Sequence, residues 1–129
     1  MIDGIVWICG ILKEMKIGLI SDTHKQHVLL TRLYTEELDM IIHAGDIGGR
    51  TNLRELDEFL YWFSHLPIKH KVFVAGNHDI VLDAGCVGRV PVYGDYPLQF
   101  EEYTNAHHLI AQYPDIIYLE DSYVEVEGL

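Results

Sequence analysis

Basic residues are scarce in this chain: nine Lys and Arg stand against 20 Asp and Glu, for a formal charge of −11. So acidic a surface repels phosphate backbones and argues against duplex nucleic acid as a partner. Cysteine is nearly absent. Cys9 and Cys86 lie far apart, form no CxxC pair and no zinc-knuckle spacing, and read as two ordinary thiols of a reducing compartment. Long apolar runs are missing too. The stretch Ile5 to Leu12, broken by Gly10, is far too short to span a bilayer. Asp3 precedes it where a signal peptide has basic residues, and no A-x-A-like site follows. A cytoplasmic protein without a membrane partner is expected. There is no internal repeat, no low-complexity tract and no glycine-rich nucleotide fingerprint behind the first strand.

What remains is ordinary globular material: 129 residues, 49% of them hydrophobic, enough for one compact domain. Residues 1–14 read either as an edge strand or as an extension outside a natural domain spanning 15–129, and the start MKIGLISDTH at Met15 favours the extension. Short apolar runs at Lys16–Ser21, Met40–Ala44, Lys71–Ala75 and Ile116–Leu119 predict buried parallel strands. Tyr123–Val126 alternates apolar with acidic residues, as a half-exposed strand would. Helical spacing occupies His27–Leu38, Asn52–His65 and about Gln99–Tyr113, the last with Phe100, Tyr103, Ala106, Leu109 and Ile110 on one face. Asn52 is placed to cap the middle helix and Pro67 to end it, and Tyr61, Trp62 and Phe63 read as its packing face. Val81–Pro97 predicts a long loop. Strands alternating with helices imply βαβ units with right-handed crossovers, hence an α/β fold on a mostly parallel sheet.

Three strands end in chemistry: Asp22-Thr23-His24 after the first, Gly45-Asp46 after the second and Gly76-Asn77-His78-Asp79 after the third. A parallel sheet lines up the carboxyl ends of its strands, so these groups converge. Asp22 and His24, two apart in an extended segment, point to one side and can grip one ion together. Gly45 permits a sharp turn that frees the Asp46 carboxylate. Mixed oxygen and nitrogen donors suit Mn, Fe or Zn better than Ca. His43 reads as core packing, and His27, His65 and His70 as surface. Asp79 either orients His78 or caps the following turn.

In this order, each behind an apolar strand, the three blocks resemble the first three motif blocks of the calcineurin-like metallophosphoesterase superfamily. The likeness runs from Met15 to the end. Around HAGD and VFVAGNHD the chain is most similar to the small stand-alone phosphoesterases of that superfamily, not to the large serine/threonine protein phosphatases. The resemblance implies the N-terminal half of a four-layer αββα sandwich and hydrolysis of a small phosphodiester or phosphomonoester. It implies two divalent ions (Mn, Fe, Zn or Mg), with Asp22 and His24 on the first, Asp46 bridging and Asn77 on the second. It gives His78 the catalytic role of steadying developing charge or protonating the leaving oxygen. Two departures stand out. Gly49 occupies the position where the protein phosphatases carry an Asp, with Arg50 next. The family's downstream GH-x-H block has no counterpart, and the one late histidine pair, His107-His108, reads as helix surface. Four protein ligands for two ions lead us to expect a truncated domain, completed by another chain or by self-association, or else a non-catalytic remnant with a partial site. An apolar sheet face left open is expected with it.

Overall fold

The computed structural model describes residues 6–9, 14–92 and 94–129. Its elements are strands β1 (Val6–Cys9), β2 (Lys16–Ile20), β3 (Met40–His43), β4 (His70–Phe73) and β5 (Ile116–Tyr118), with helices α1 (Leu53–Ser64) and α2 (Phe100–Ala111). They form one sheet in the order β1-β2-β3-β4-β5. Strands β2 to β5 run parallel, and β1 joins the edge antiparallel to β2. The remainder of residues 1–13 lies outside the described residues.

A sheet whose parallel strands follow chain order, joined by crossovers of one hand, receives every connection on the same face. That face carries the main core. Ile20, Ile41, Phe73 and Ile116 look toward Leu56, Phe59, Leu60 and Phe63 of α1 and Ala106 of α2. α1 forms where its pattern predicts. The Asn52 side chain accepts the Glu55 amide at 2.9 Å as N-cap, and the apolar positions recur at three and four. Phe59 is its anchor, with no exposed surface. Its ring stacks on Phe63 at 5.0 Å and meets Phe73 edge-on at 5.4 Å and His43 at 5.1 Å. Truncating a buried Phe of this kind to Ala removes about 3–5 kcal/mol.

The opposite face is thinner. Ile17, Met40 and Val126 form a small buried cluster, with Leu19, Ile42 and Ile117 only partly covered against it. The apolar face expected to lie open is therefore partly shielded by the C-terminal segment. Tyr123–Val126 does not form the expected strand. Among the described residues it pairs with no strand, and only its last residue is buried.

Other expectations also shift. His27–Leu38 is not a helix but two short 3₁₀ turns, His27–Leu29 and Thr31–Tyr34, separated by Leu30 at ψ 60°. Of the spaced residues Val28, Leu29, Leu33 and Leu38, only Leu33 and Leu38 reach the core, joined there by Leu30, while Val28 and Leu29 are 56% and 67% exposed. His27 is buried, not on the surface, with its ring 4.6 Å from Trp62. Phe100 at the start of α2 is 68% exposed, and Tyr61 of α1 is 61% exposed, so neither packs inward. Residues 81–92 and 94–97 are loop, tightened by 3₁₀ turns at Ile80–Leu82 and Ala84–Cys86. Cys86 is a free, buried thiol. Among the described residues no helix is long and apolar enough to cross a membrane.

Candidate metal centre

The turns after β2, β3 and β4 meet at the carboxyl edge of the sheet. The first lies along the second through backbone bonds: Asp22 N–H donates to the Gly45 carbonyl at 2.9 Å, His24 N–H to Asp46 at 3.2 Å and Lys25 N–H to Ile47 at 2.7 Å. The Asp22–His24 segment is not extended, contrary to the expectation. Asp22 (φ 52°), His24 (φ 41°) and Asp46 (φ 58°) all have left-handed backbone, as does Lys25 at φ 69°. Such conformations cost about 1–2 kcal/mol each for residues with a Cβ and collect where surrounding structure holds them for function. Glycine is required at two places. A Cβ on Gly45, itself at φ +100°, would stand 2.4 Å from the Gly76 amide, and one on Gly76 would stand 2.2 Å from Asp46 Oδ1. The second and third turns approach that closely because neither glycine has a side chain.

Asp22, His24 and Asp46 each offer one donor atom, all within 4.8 Å of one another. His24 Nδ1 donates to the Gly48 carbonyl at 3.0 Å, which fixes the tautomer and leaves Nε2 with the lone pair. That arrangement is the usual outer partner of a metal-bound imidazole. Asp46 Oδ1 accepts the His78 amide at 2.9 Å, which steers the carboxylate. The Ser21 hydroxyl, with help from Asp46 and His24, holds the exposed Asp22 carboxyl below its ordinary value, so it is ionised and ready to bind a cation. Two carboxylates and an oriented imidazole suit a borderline divalent ion. Asn77 stands exposed in the adjoining turn, between Gly76 and His78. The His78 ring lies 5.3 Å from that of His24, edge to face, and its Nδ1–H donates to the Gly49 carbonyl at 2.7 Å.

Three residues behind these hold the turns in place, and sequence reasoning gave none of them that role. Asp79 is fully buried and does not cap the next turn through its side chain. Its Oδ2 accepts the amides of Asp46 and Gly76, each at 2.8 Å, and its Oδ1 accepts the Ile47 amide at 2.9 Å and the Thr51 hydroxyl at 2.5 Å. Burial pushes this carboxyl up, and the four donors oppose that. Thr51 extends the clasp: its Oγ1 accepts the Gly48 amide at 2.9 Å and its own amide donates to the His78 carbonyl at 2.9 Å. His43 is core, as expected, and also a tie. Its Nδ1 accepts the Gly45 amide at 3.1 Å, so Nε2 carries the proton and donates to Thr23 Oγ1 at 2.9 Å. Burial drives the His43 imidazole down to about 3, keeping it neutral. The available signal was small: polar residues embedded in buried apolar runs, Ile80-Val81-Leu82 behind Asp79 and Ile41-Ile42 before His43. His107 lies on α2, where its Nδ1 donates to the Tyr103 carbonyl at 3.0 Å, in keeping with the helix-surface reading.

Residues 15–129 match the family model described as calcineurin-like phosphoesterase. Metallophosphoesterase domain-containing protein 1 of Homo sapiens is 31% identical over 115 residues, covering 84% of this chain and 33% of that protein, and the Mus musculus protein of the same name matches equally. A UPF0046 protein of Caenorhabditis elegans is 39% identical over 73 residues, 56% of this chain and 25% of that one. The chain thus spans a third or less of the length of these curated relatives.

Proposed function

Because the chain belongs to the calcineurin-like phosphoesterase family, we propose that its site hydrolyses small phosphoesters, diester or monoester, with Asp22, His24 and Asp46 holding one divalent cation and Asn77 joining Asp46 on a second. One observation supports this most: three donors from two turns lie within 4.8 Å, with the His24 tautomer already set for coordination. Divalent cations bound there supply charge that neutralises phosphate oxygens, and they acidify water toward hydroxide near neutral pH.

The chain's own residues do the rest. Asp79 and Thr51 fix the backbone from which Asp46 and His78 project. His78, with Nδ1–H committed to Gly49, uses Nε2 for proton traffic. Protonated there, it gives its proton to the leaving oxygen as the phosphorus–oxygen bond breaks. Hydroxide attacks phosphorus from the opposite side.

A second reading, cation binding without turnover, is favoured by the ligand count: among the described residues one group of three His, Cys or carboxylate donors assembles. Association with a completing chain or a second copy is part of either reading, and the partly covered Leu19, Ile42 and Ile117 support it. Turnover of bis-p-nitrophenyl phosphate by the pure chain in Mn²⁺ decides between them. We expect measurable hydrolysis that disappears in Asp46→Asn. Saturable Mn²⁺ binding without hydrolysis selects the second reading, and no binding removes both.

A further inference from the structure

A cavity of about 510 Å³ opens on the helix layer, away from the three turns of the metal centre, and Tyr34, Asp57, Glu58, Tyr61, Trp62 and Tyr113 line it. Its volume falls in the range of small-molecule sites. The lining is chemically specific. Four aromatic rings and two carboxylates face it together with Val28 and His65, whose ring lies 4.3 Å from that of Tyr61. Tyr61 and Tyr34 leave 61% and 46% of their surface exposed, although Tyr61 belongs to a helix that otherwise sends its aromatics into the core. The Tyr113 hydroxyl donates to Asp57 Oδ1 at 3.2 Å and so holds that carboxylate beside an aromatic ring. Glu58 is shared with Arg54, whose Nε donates to it at 2.9 Å along the exposed side of the helix.

Trp62 forms part of the cavity wall and is 7% exposed, with its ring 4.6 Å from that of His27 on the inner side.

We propose that this cavity binds a small organic cation, an alkylated ammonium compound. The alkylated ammonium group sits against the Tyr61, Trp62 and Tyr113 rings with Asp57 as counter-charge. A cation of this type is attracted by aromatic faces and has no N–H donors to satisfy on leaving water. An anion meets two carboxylates there, and a neutral apolar ligand gains nothing from them. The net charge of −11 favours approach of the same class.

Choline is the probe, and 3,3-dimethylbutan-1-ol is its uncharged isostere. Titrated into the full chain with EDTA present, choline is expected to bind saturably at millimolar or lower concentration and to shift the Trp62 indole N–H resonance. The isostere binds at least about tenfold more weakly. Tyr61→Ala and Asp57→Asn, both at exposed positions, each weaken choline about tenfold or more with an unchanged urea midpoint, whereas Asp46→Asn leaves its binding intact. No saturation up to about 50 mM, equal binding of the isostere, or full affinity in both cavity variants overturns the proposal.

Discussion

The backbone amide of Asp46 donates to Asp79 Oδ2 over 2.8 Å, between residues 33 positions apart. A carboxylate that is fully buried thereby sets the backbone of a carboxylate that faces the proposed cation. The strained turn at Asp46 (φ 58°) persists because Asp79 holds it together with Ile47 and Gly76.

The first prediction follows directly. In Asp79→Asn the side-chain NH₂ must face either the Asp46 and Gly76 amides or the Ile47 amide and Thr51 hydroxyl, donor against donor. We expect a stability loss on the order of 2–4 kcal/mol, read as a lower urea midpoint. Mn²⁺ affinity should fall as well. A wild-type midpoint would show that the clasp is dispensable.

Gly76→Ala tests the close approach of the second and third turns. Its Cβ would lie 2.2 Å from Asp46 Oδ1, and backbone surrounds it on that side. The Asp46 carboxylate has to move, so hydrolysis of bis-p-nitrophenyl phosphate and Mn²⁺ binding should both drop at least about tenfold. Gly49→Ala, with open space around its Cβ, serves as the control and should bind Mn²⁺ like wild type.

Acid should destabilise the fold before most carboxylates titrate. Burial is the first cause that holds the His43 imidazole at about 3 and that of His27 at about 4, against an ordinary value of 6.5. Both rings are neutral when folded and free to protonate when unfolded. Their stabilisation is therefore complete above pH 6.5 and is lost as pH falls toward 4 and 3. Each ring contributes a slope of up to about 1.4 kcal/mol per pH unit in that window. Urea unfolding at pH 7, 6 and 5 in EDTA measures it. His27→Leu should flatten the slope by one ring, with little loss at pH 7, because His27 Nδ1 has no hydrogen-bond partner to forfeit.

Cation binding should appear as thermal stabilisation. An ion that binds only the folded chain adds about 2.7 kcal/mol at a hundred times its dissociation constant. Mn²⁺ should raise the melting temperature of the wild type by several degrees. It should raise that of Asp22→Asn and His24→Gln much less, since each removes one of the three donors. An equal rise in all three proteins would place the ion elsewhere.

Much of this was legible beforehand, for identifiable reasons. Parallel strands buried on both faces give short apolar runs, and Ile17–Ile20, Met40–Ile42 and Val72–Phe73 are such runs. α1 announced itself because cap, period and terminating proline agree at Asn52, Leu56–Phe63 and Pro67. The converging turns followed from the sheet. The backbone within them did not: nothing in Asp22-Thr23-His24 signals left-handed residues, because the cause is the neighbouring Gly45–Ile47 segment and its carbonyls. His27–Leu38 misled because its spacing through Val28, Leu29, Leu33 and Leu38 mixes two exposed residues with two buried ones, and of the buried pair only Leu33 lies in a 3₁₀ turn. His43, Thr51 and Asp79 are polar residues with partners 20, 28 and 33 positions away, at Thr23, Asp79 and Asp46 in turn, so their placement depends on tertiary contacts that no local pattern records.

Each strand of this sheet lies beside the one that precedes it in the chain, Ile17 against Met40, Met40 against His70 and Lys71 against Ile116. No strand must wait for a later one to slot between it and its neighbour. The sheet can therefore be laid down in order as the polypeptide leaves the ribosome, every new strand finding a finished edge to join. The first two turns of the metal centre are in place once β3 has docked, and the third arrives with β4, well before the last helix is synthesised.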